Sequence, residues 1–375
     1  PGRSPRGWRR RSAAAPEDRA PEYGAVVDLD ARLTVLGSLN MDISVTVPSL
    51  PGPGATVLGG AAAFAPGGKG ANQAVAAARL GAEASLRVRM VGCVGDDDFG
   101  RALRAALTAE GVDDHNVRTV PGAPTGIAMI TVDEAGENII TVAPGANREV
   151  GAPEVAAIGE PAGPESANVL VISAEVPVPA ILAALAAPGG IPGTSSTGPR
   201  SLTVLNLAPA PPRDGAAGIL KARPDWLVVN ESEAAGVLGR PVGGLAEAAR
   251  AAADLVAAGA RNAVVTAGAA GAAYHGTQVN GENREFSRTV AAFPVPARDT
   301  VGAGDTFVGA LAVALAAGIT PGEAVVAASA AGAAAATRPG TQAGMPRPAD
   351  IFAATGYEWP LSPPPNNPEP EQASR

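Results

Sequence analysis

Residues 226–266 read WLVVNESEAAGVLGRPVGGLAEAARAAADLVAAGARNAVVT and decide the fold. Trp226–Val229 is an apolar run of strand length, closed by the polar turn Asn230-Glu231-Ser232-Glu233. Leu245–Ala258 follows with the Ala/Leu content of a helix. Ala263–Thr266 is a second apolar run, and it ends in Ala267-Gly268-Ala269-Ala270-Gly271. A helix carrying the chain from one such strand to the next implies parallel neighbours with the helix packed on the sheet.

The same rhythm extends outward from about residue 32. Further strands are expected at Leu33–Leu36, Leu86–Val94, Val169–Ser173 and Leu202–Leu207. Helices are expected at Ala71–Leu80, Arg101–Glu110, Pro179–Ala186, Asp305–Ala317 and Glu323–Thr337. The fold class is therefore α/β, a central and mostly parallel sheet flanked by helices on both faces. Two segments break the rhythm. Residues 43–64 hold the short β-like pieces Ile43–Val47 and Thr56–Leu58, and residues 126–142 read as a hairpin turning at Asp133–Asn138. Together they are expected to pair as a small β-sheet lid.

One large domain is expected over residues 32–357. Residues 1–31 carry Arg3, Arg6, Arg9, Arg10, Arg11 and Arg19 and read as a disordered basic arm or the remnant of a transit peptide. The first residue is Pro1 rather than Met, which reads as an incomplete start. The compartment is then the cytoplasm, or a plastid or other organelle if the arm is such a remnant. Residues 188–200 read as a flexible loop, and residues 358–375 as a disordered Pro-rich tail.

Charge and composition exclude several classes. A net charge of -8 argues against binding to nucleic acid or to an anionic membrane. The best apolar run, Phe307–Ile319, is shorter than the ~18–20 residues that span a bilayer. Cys93 is the single cysteine, so no internal disulfide and no Cys-based zinc site can form. Only His115 and His275 are present, which disfavours Ser-His-Asp hydrolysis and His-rich metal chemistry. Lysine occurs only at Lys69 and Lys221 in an arginine-rich chain, so each invites attention.

Ligands of open parallel sheets bind beyond the carboxyl ends of the strands. Polar residues gather there: Ser38, Asn40 and Asp42 after the first strand, then Ser173 and Glu175, Asn206, Asn230 with Glu233, and Thr266. Any one of them could be an ordinary cap. Two glycine-rich segments say more. Pro66-Gly67-Gly68-Lys69-Gly70-Ala71-Asn72 opens a helix whose free amides face a ligand. It is not a Walker A loop, which needs Gly where Ala63 stands and Ser or Thr where Gly70 stands. Asp299-Thr300-Val301-Gly302-Ala303-Gly304-Asp305-Thr306 also opens a helix. Its amides make a positive pocket suited to a phosphoryl group, and Asp305 is placed either to accept a proton from a hydroxyl or merely to cap the helix.

These segments, extended to PGGKGANQAVAAARLGA and DTVGAGDTFVGAL and taken with GSLNMD, GCVGDDDFG, GENIITVAPGAN, NLAPA, NESEA and ATRPGTQAGMP, resemble the PfkB, or ribokinase-like, family of carbohydrate kinases in order and spacing. The likeness covers about Leu33 to Phe352, and the ribose-phosphorylating members are nearest. It implies transfer of phosphate from ATP to the 5-hydroxyl of D-ribose, with Asp305 as general base. It implies a sugar site at Asn40, Asp42, Gly68, Lys69, Gly70, Ala71, Asn72 and Glu175. Nucleotide contacts fall at Asn230, Thr266, Gly268, Gly271, Gly302, Ala303 and Gly304, with Ser329 near adenine. Glu233 would meet Mg²⁺ through water. An activating K⁺ would be held by Asp299, Val301, Ala335, Arg338 and Gly340, with Gly344 where the family has a serine. A homodimer through the lid is the expected assembly. Another acceptor, such as deoxyribose, fructose or adenosine, and a non-catalytic binding protein are the alternatives. A nicotinamide dehydrogenase is disfavoured, because no GxGxxG follows the first strand.

Overall fold

The computed structural model of the chain describes residue 29 and residues 31–159, 167–187, 201–276 and 286–362. The strands, in chain order, are β1 Ala31–Leu36, β2 Asn40–Val47, β3 Ala63–Gly67, β4 Arg87–Gly95, β5 Asp113–Val120, β6 Gly126–Asp133, β7 Asn138–Ala143, β8 Ala167–Ser173, β9 Ser201–Asn206, β10 Trp226–Asn230, β11 Asn262–Thr266, β12 Ala272–Gly276 and β13 Phe286–Val290. The helices are α1 Lys69–Gly81, α2 Asp98–Ala109, α3 Ala152–Ile158, α4 Val178–Ala186, α5 Arg213–Lys221, α6 Glu231–Leu238, α7 Gly244–Ala257, α8 Ala303–Ala316, α9 Pro321–Ala336, α10 Thr341–Gly344 and α11 Pro348–Thr355.

Nine strands make the large sheet, in the order β13-β12-β11-β10-β9-β8-β1-β4-β5. From β11 to β5 every pairing is parallel, and β12 and β13 add an antiparallel edge. Side chains alternate between the two faces, as strand geometry requires. Val169 and Val171, Trp226 and Val228, and Val264 enter the core beneath α1, α8 and α9. Their neighbours Leu170 and Ile172, Leu227 and Val229, and Val265 enter the opposite core with α4, α5 and α7. Strands buried on both faces explain the near-continuous apolar runs in the sequence.

The two irregular insertions do pair. A second sheet runs β3-β2-β6-β7, with β2 and β6 parallel and both outer pairings antiparallel. One expected lid strand is corrected. Residues 56–58 are irregular, and Leu58 is 89% exposed. Four nearby glycines, Gly52, Gly54, Gly59 and Gly60, weaken any ladder there, and β2 pairs with Ala63–Gly67 instead.

The expected end of the domain at residue 357 is also corrected. Trp359 is 1% exposed, and its indole N–H donates to the Leu80 carbonyl at 3.0 Å. Leu361 is buried beside it, so the folded chain runs past 358. At the other end, Ala31 already belongs to β1. The arginines of the basic arm, the loop 188–200 and the tail from 363 lie outside the described residues. No helix among those described is long and apolar enough to cross a membrane.

Candidate active site

The site is assembled where β1 leaves the large sheet and becomes the lid. After Leu36 the chain crosses Gly37-Ser38-Leu39 and re-enters a strand at Asn40, so Asn40 and Asp42 ride on β2. The loop before α1 presses against this crossing. A Cβ on Gly37 would stand 2.7 Å from the Gly70 Cα, and one on Gly68 would stand 2.6 Å from the Asn40 nitrogen. Gly68 also has φ 89°, a left-handed conformation that glycine alone adopts freely. The amides of Gly70 and Ala71, expected at the sugar, are instead directed to Ser38, at its Oγ (3.4 Å) and its carbonyl (3.0 Å). Glycine and alanine here let two backbones touch.

Glu175, two residues past β8, closes this corner. Its Oε2 accepts hydrogen bonds from Ser38 Oγ at 2.5 Å, the Lys69 amide at 3.3 Å and Asn40 Nδ2 at 3.5 Å. Asn147, just beyond β7, is 1% exposed and holds the same corner from the lid side. Its amide grips the Leu39 N–H (2.9 Å) and carbonyl (3.1 Å) and donates to Asn40 Oδ1 (2.8 Å). A cavity of about 350 Å³ opens here, lined by Ser38, Asn40, Asn147, Arg148, Glu175 and Val142 among others.

Charge is concentrated around Lys69. Asp305 foremost, then Glu175, Glu233 and Asp42, hold its ammonium in the charged form against the cost of burial. Burial, with Glu175 and Asp305 nearby, pushes the Asp42 carboxyl up to about 7, and Lys69 opposes the shift. Burial likewise raises Glu175 and Glu233. One ammonium among four carboxylates makes the site acidic, which suits hydrogen bonding to sugar hydroxyls and the arrival of a cation with a phosphate chain.

Asp305 lies in the first turn of α8 and is 7% exposed. Its Oδ2 accepts from Asn72 Nδ2 at 2.9 Å and its Oδ1 from Gln73 Nε2 at 3.1 Å. Gln73 Nε2 also donates to Asn206 Oδ1 at 3.0 Å, and Gln342 Nε2 donates to Asn72 Oδ1 at 3.1 Å. The N-cap of α8 is Gly302, at φ 79°. The Ala303 amide turns back to Thr300 (3.3 Å), while those of Gly304 and Asp305 meet no acceptor among the described residues. Such amides at a helix start can receive an anion.

The expected nucleotide residues follow along the same edge of the sheet. Asn230 and Thr266 are register partners on β10 and β11. Asn230 and Glu233 form a reciprocal capping box on α6, each side chain accepting from the other's amide at 2.8 Å. Both readings of NxxE, cap and ligand contact, are therefore compatible with the geometry. Gly268 and Gly271 have φ 51° and 115°, and a Cβ at Gly271 would strike the Val290 carbonyl at 2.0 Å. The Ser329 hydroxyl is turned to Val325 of its own helix at 2.8 Å.

Asp299 clasps two segments, accepting from the Val301 amide (3.0 Å) and the Gly340 amide (2.9 Å). Backbone bonds from Arg298 and Asp299 to the Ala336 carbonyl tie the same turn to the end of α9. A Cβ at Gly344 would stand 2.9 Å from the Arg338 carbonyl, so a serine there would crowd it. Carboxylate and carbonyl oxygens are hard donors, and this donor set fits a monovalent cation. Glu233 fits a water-mediated Mg²⁺, which needs few protein ligands when phosphates supply the rest. No group of three or more His, Cys, Asp or Glu side chains suited to a metal occurs among the described residues.

Gln73, Asn147 and Gln342 had no expected role, and Ser38 and Asn206 were expected only as polar residues at the strand ends. All five fall inside the motif strings, so the signal was there without the contacts that give it meaning.

Residues 30–348 match the pfkB family of carbohydrate kinases. The chain belongs to that family. The ribokinase of Schizosaccharomyces pombe is 38% identical over 293 residues, covering 76% of this chain and 86% of that protein. The solved ribokinase of Thermotoga maritima is 30% identical, with a TM-score of 0.70, covering 86% of this chain and 98% of that one. An Arabidopsis thaliana ribokinase complexed with ribose and ATP is 26% identical, with a TM-score of 0.69, covering 88% and 99%. As a pfkB kinase, the chain is an enzyme of ATP-dependent sugar phosphorylation, and its two sheets are the large sheet and the small second sheet of that fold.

Proposed function

We propose that this chain phosphorylates D-ribose at the 5-hydroxyl, giving D-ribose 5-phosphate and ADP. The observation that carries the reading is Asp305: a buried carboxylate in the first turn of α8, beside two amides with no acceptor among the described residues and within electrostatic reach of Lys69. Asn40, Asp42 and Glu175 bind the sugar hydroxyls, with Gly68 and Lys69 forming the floor. Asp305 takes the proton as the 5-oxygen attacks the γ-phosphorus, and the bond from that phosphorus to the β-phosphate oxygen breaks. Charge developing on the transferred group is met at the Gly302–Gly304 turn, chiefly by the amides of Gly304 and Asp305, and by Lys69. Asn230, Thr266, Gly268, Gly271 and Ser329 hold the nucleotide. Glu233 would hold Mg²⁺ through water, and the ion would supply neutralisation of the phosphate charge. Asp299 and the carbonyls of Val301, Ala335, Arg338, Gly340 and Gly344 would hold K⁺, which would supply positive charge beside the 299–305 turn.

A second copy of the chain is the proposed partner, docked through the lid. Met129, Ile139, Ile140, Val142 and Phe64 are exposed large apolar residues on that one small sheet, and β3 and β7 leave unpaired edges. Sedimentation of the parent and of Met129→Asp tests this; a parent that sediments as a monomer rejects it.

The test of the activity is ATP consumption with ribose, 2-deoxyribose, fructose and adenosine, for the parent and for Asp305→Asn. Ribose is expected to give the highest kcat/KM. Asn keeps the shape and caps a helix as well as Asp, so loss of ~10²–10⁴-fold in kcat is expected from the missing base. Turnover within a few-fold of the parent would leave Asp305 only a structural partner of Asn72 and Gln73 and end this reading.

A further inference from the structure

We propose that Gln73 and Gln342 are positioning residues that aim the Asp305 carboxylate, acting through a belt of four side-chain amides. This rests on Asp305 being the base. The belt consists of Asn72, Gln73, Asn206 and Gln342, which are 4%, 0%, 7% and 8% exposed. Its orientation is fixed by chemistry. A carboxylate only accepts, so Asn72 and Gln73 must both turn their NH₂ groups toward Asp305. Asn72 Oδ1 is then left as an acceptor, and Gln342 supplies the donor. Gln73 Nε2 reaches Asn206 Oδ1 with its second hydrogen, and Asn206 Nδ2 is committed to the Val228 carbonyl at 3.2 Å. No amide in the belt can flip without setting like against like.

Each arm pins one carboxylate oxygen, so rotation about the Asp305 Cβ–Cγ bond is blocked from both sides. The arms start from consecutive residues of α1 and end on separate elements, β9 and α10. Burying four amides is costly, and Gln73 Oε1 has no hydrogen-bond partner among the described residues. An apolar residue at position 73 would avoid that cost but would free Oδ1. The belt thus favours orientation over stability. A base held at the wrong angle loses its reach to the attacking hydroxyl, and misplacement of about 1 Å can cost 10²-fold.

The experiment is a double-mutant cycle with a second arm. Gln73→Leu is expected to lower kcat about 10- to 100-fold, with KM for sugar and for ATP unchanged within about threefold, in the same range as Gln342→Met made separately. In the Asp305→Asn background Gln73→Leu should cost nothing further, because the group it aims is gone. A residue needed only for packing would cost the same in both backgrounds and would shift both KM values. If Asp305→Asn is inactive while Gln73→Leu and Gln342→Met keep parental kcat, the belt proposal is overturned and the base stands. If Asp305→Asn is itself active, the reading of the base has failed instead. Should Gln73→Leu not fold, Gln342→Met in both backgrounds tests the same coupling from the other arm.

Discussion

At Asp42 the demands of folding and of the proposed sugar binding have opposite signs. Burial beside Glu175 and Asp305 lifts its carboxyl from 3.8 to about 7. Between those two values the native chain holds a proton that the unfolded chain has released. The group's contribution to stability is complete below about pH 4 and is lost as pH rises through 7. Sugar hydroxyls, by contrast, donate best to the ionised form, which dominates above 7. KM for the sugar is therefore expected to fall between pH 6 and pH 8. Asp42→Asn should remove that pH dependence and raise KM roughly tenfold to a hundredfold, the worth of a charged hydrogen bond at ~1.5–3 kcal/mol. The same variant should melt a few degrees higher than the parent at pH 8, and a lower Tm there would refute the assignment. The residue type was legible from GSLNMD, where Asp42 stands beyond a strand end. Its state was not, because the burial and the two carboxylates that set it come from residues far along the chain.

Among the elements, α1 and α8 make the contact on which the site depends. Gly309 sits one turn beyond Asp305, where a Cβ would lie 2.8 Å from both the Ala76 Cβ and the Gln73 carbonyl. This near touching brings Asn72 and Gln73 onto Asp305, 233 and 232 residues away. Gly309→Val should force the helices apart, costing ~1–3 kcal/mol by overpacking, and should lower kcat more than KM; unchanged kcat with only a lower Tm would confine its role to packing. The helices themselves were plain in the sequence, as were the six strands with continuous apolar runs. Gly309 was invisible inside Phe307–Ile319, since a run of small residues reads as a helix without saying whom it meets. The strands that escaped have physical reasons too. Asp113–Val120 is a polar edge, and Ala272–Gly276 is short and rich in Ala and Gly. Thr56–Leu58 has better strand residues than Ala63–Gly67, yet register against β2 decided the pairing.

Over the whole molecule, the chain's last described stretch straps the core shut. Trp359 fills the space beside α1 and donates to Leu80, so Trp359→Ala should cost ~3–5 kcal/mol. Thermal melts would measure the loss, and a shift under two degrees would mean the strap is dispensable. A tryptophan among prolines and glutamates offers no periodicity to follow, which is why the boundary expected from sequence falls too early. The lid carries a broader consequence. Asn40 and Asp42 belong to β2, and Asn147 at the lid's far root grips Leu39 and Asn40. On the proposed reading, any displacement of the small sheet would carry the acceptor's own ligands with it. Recognition and enclosure are then one variable, since the residues proposed to read the sugar belong to the sheet that covers it. On that reading, sparing ATP from water would be a matter of timing, set by when the small sheet carries Asn40 and Asp42 into place.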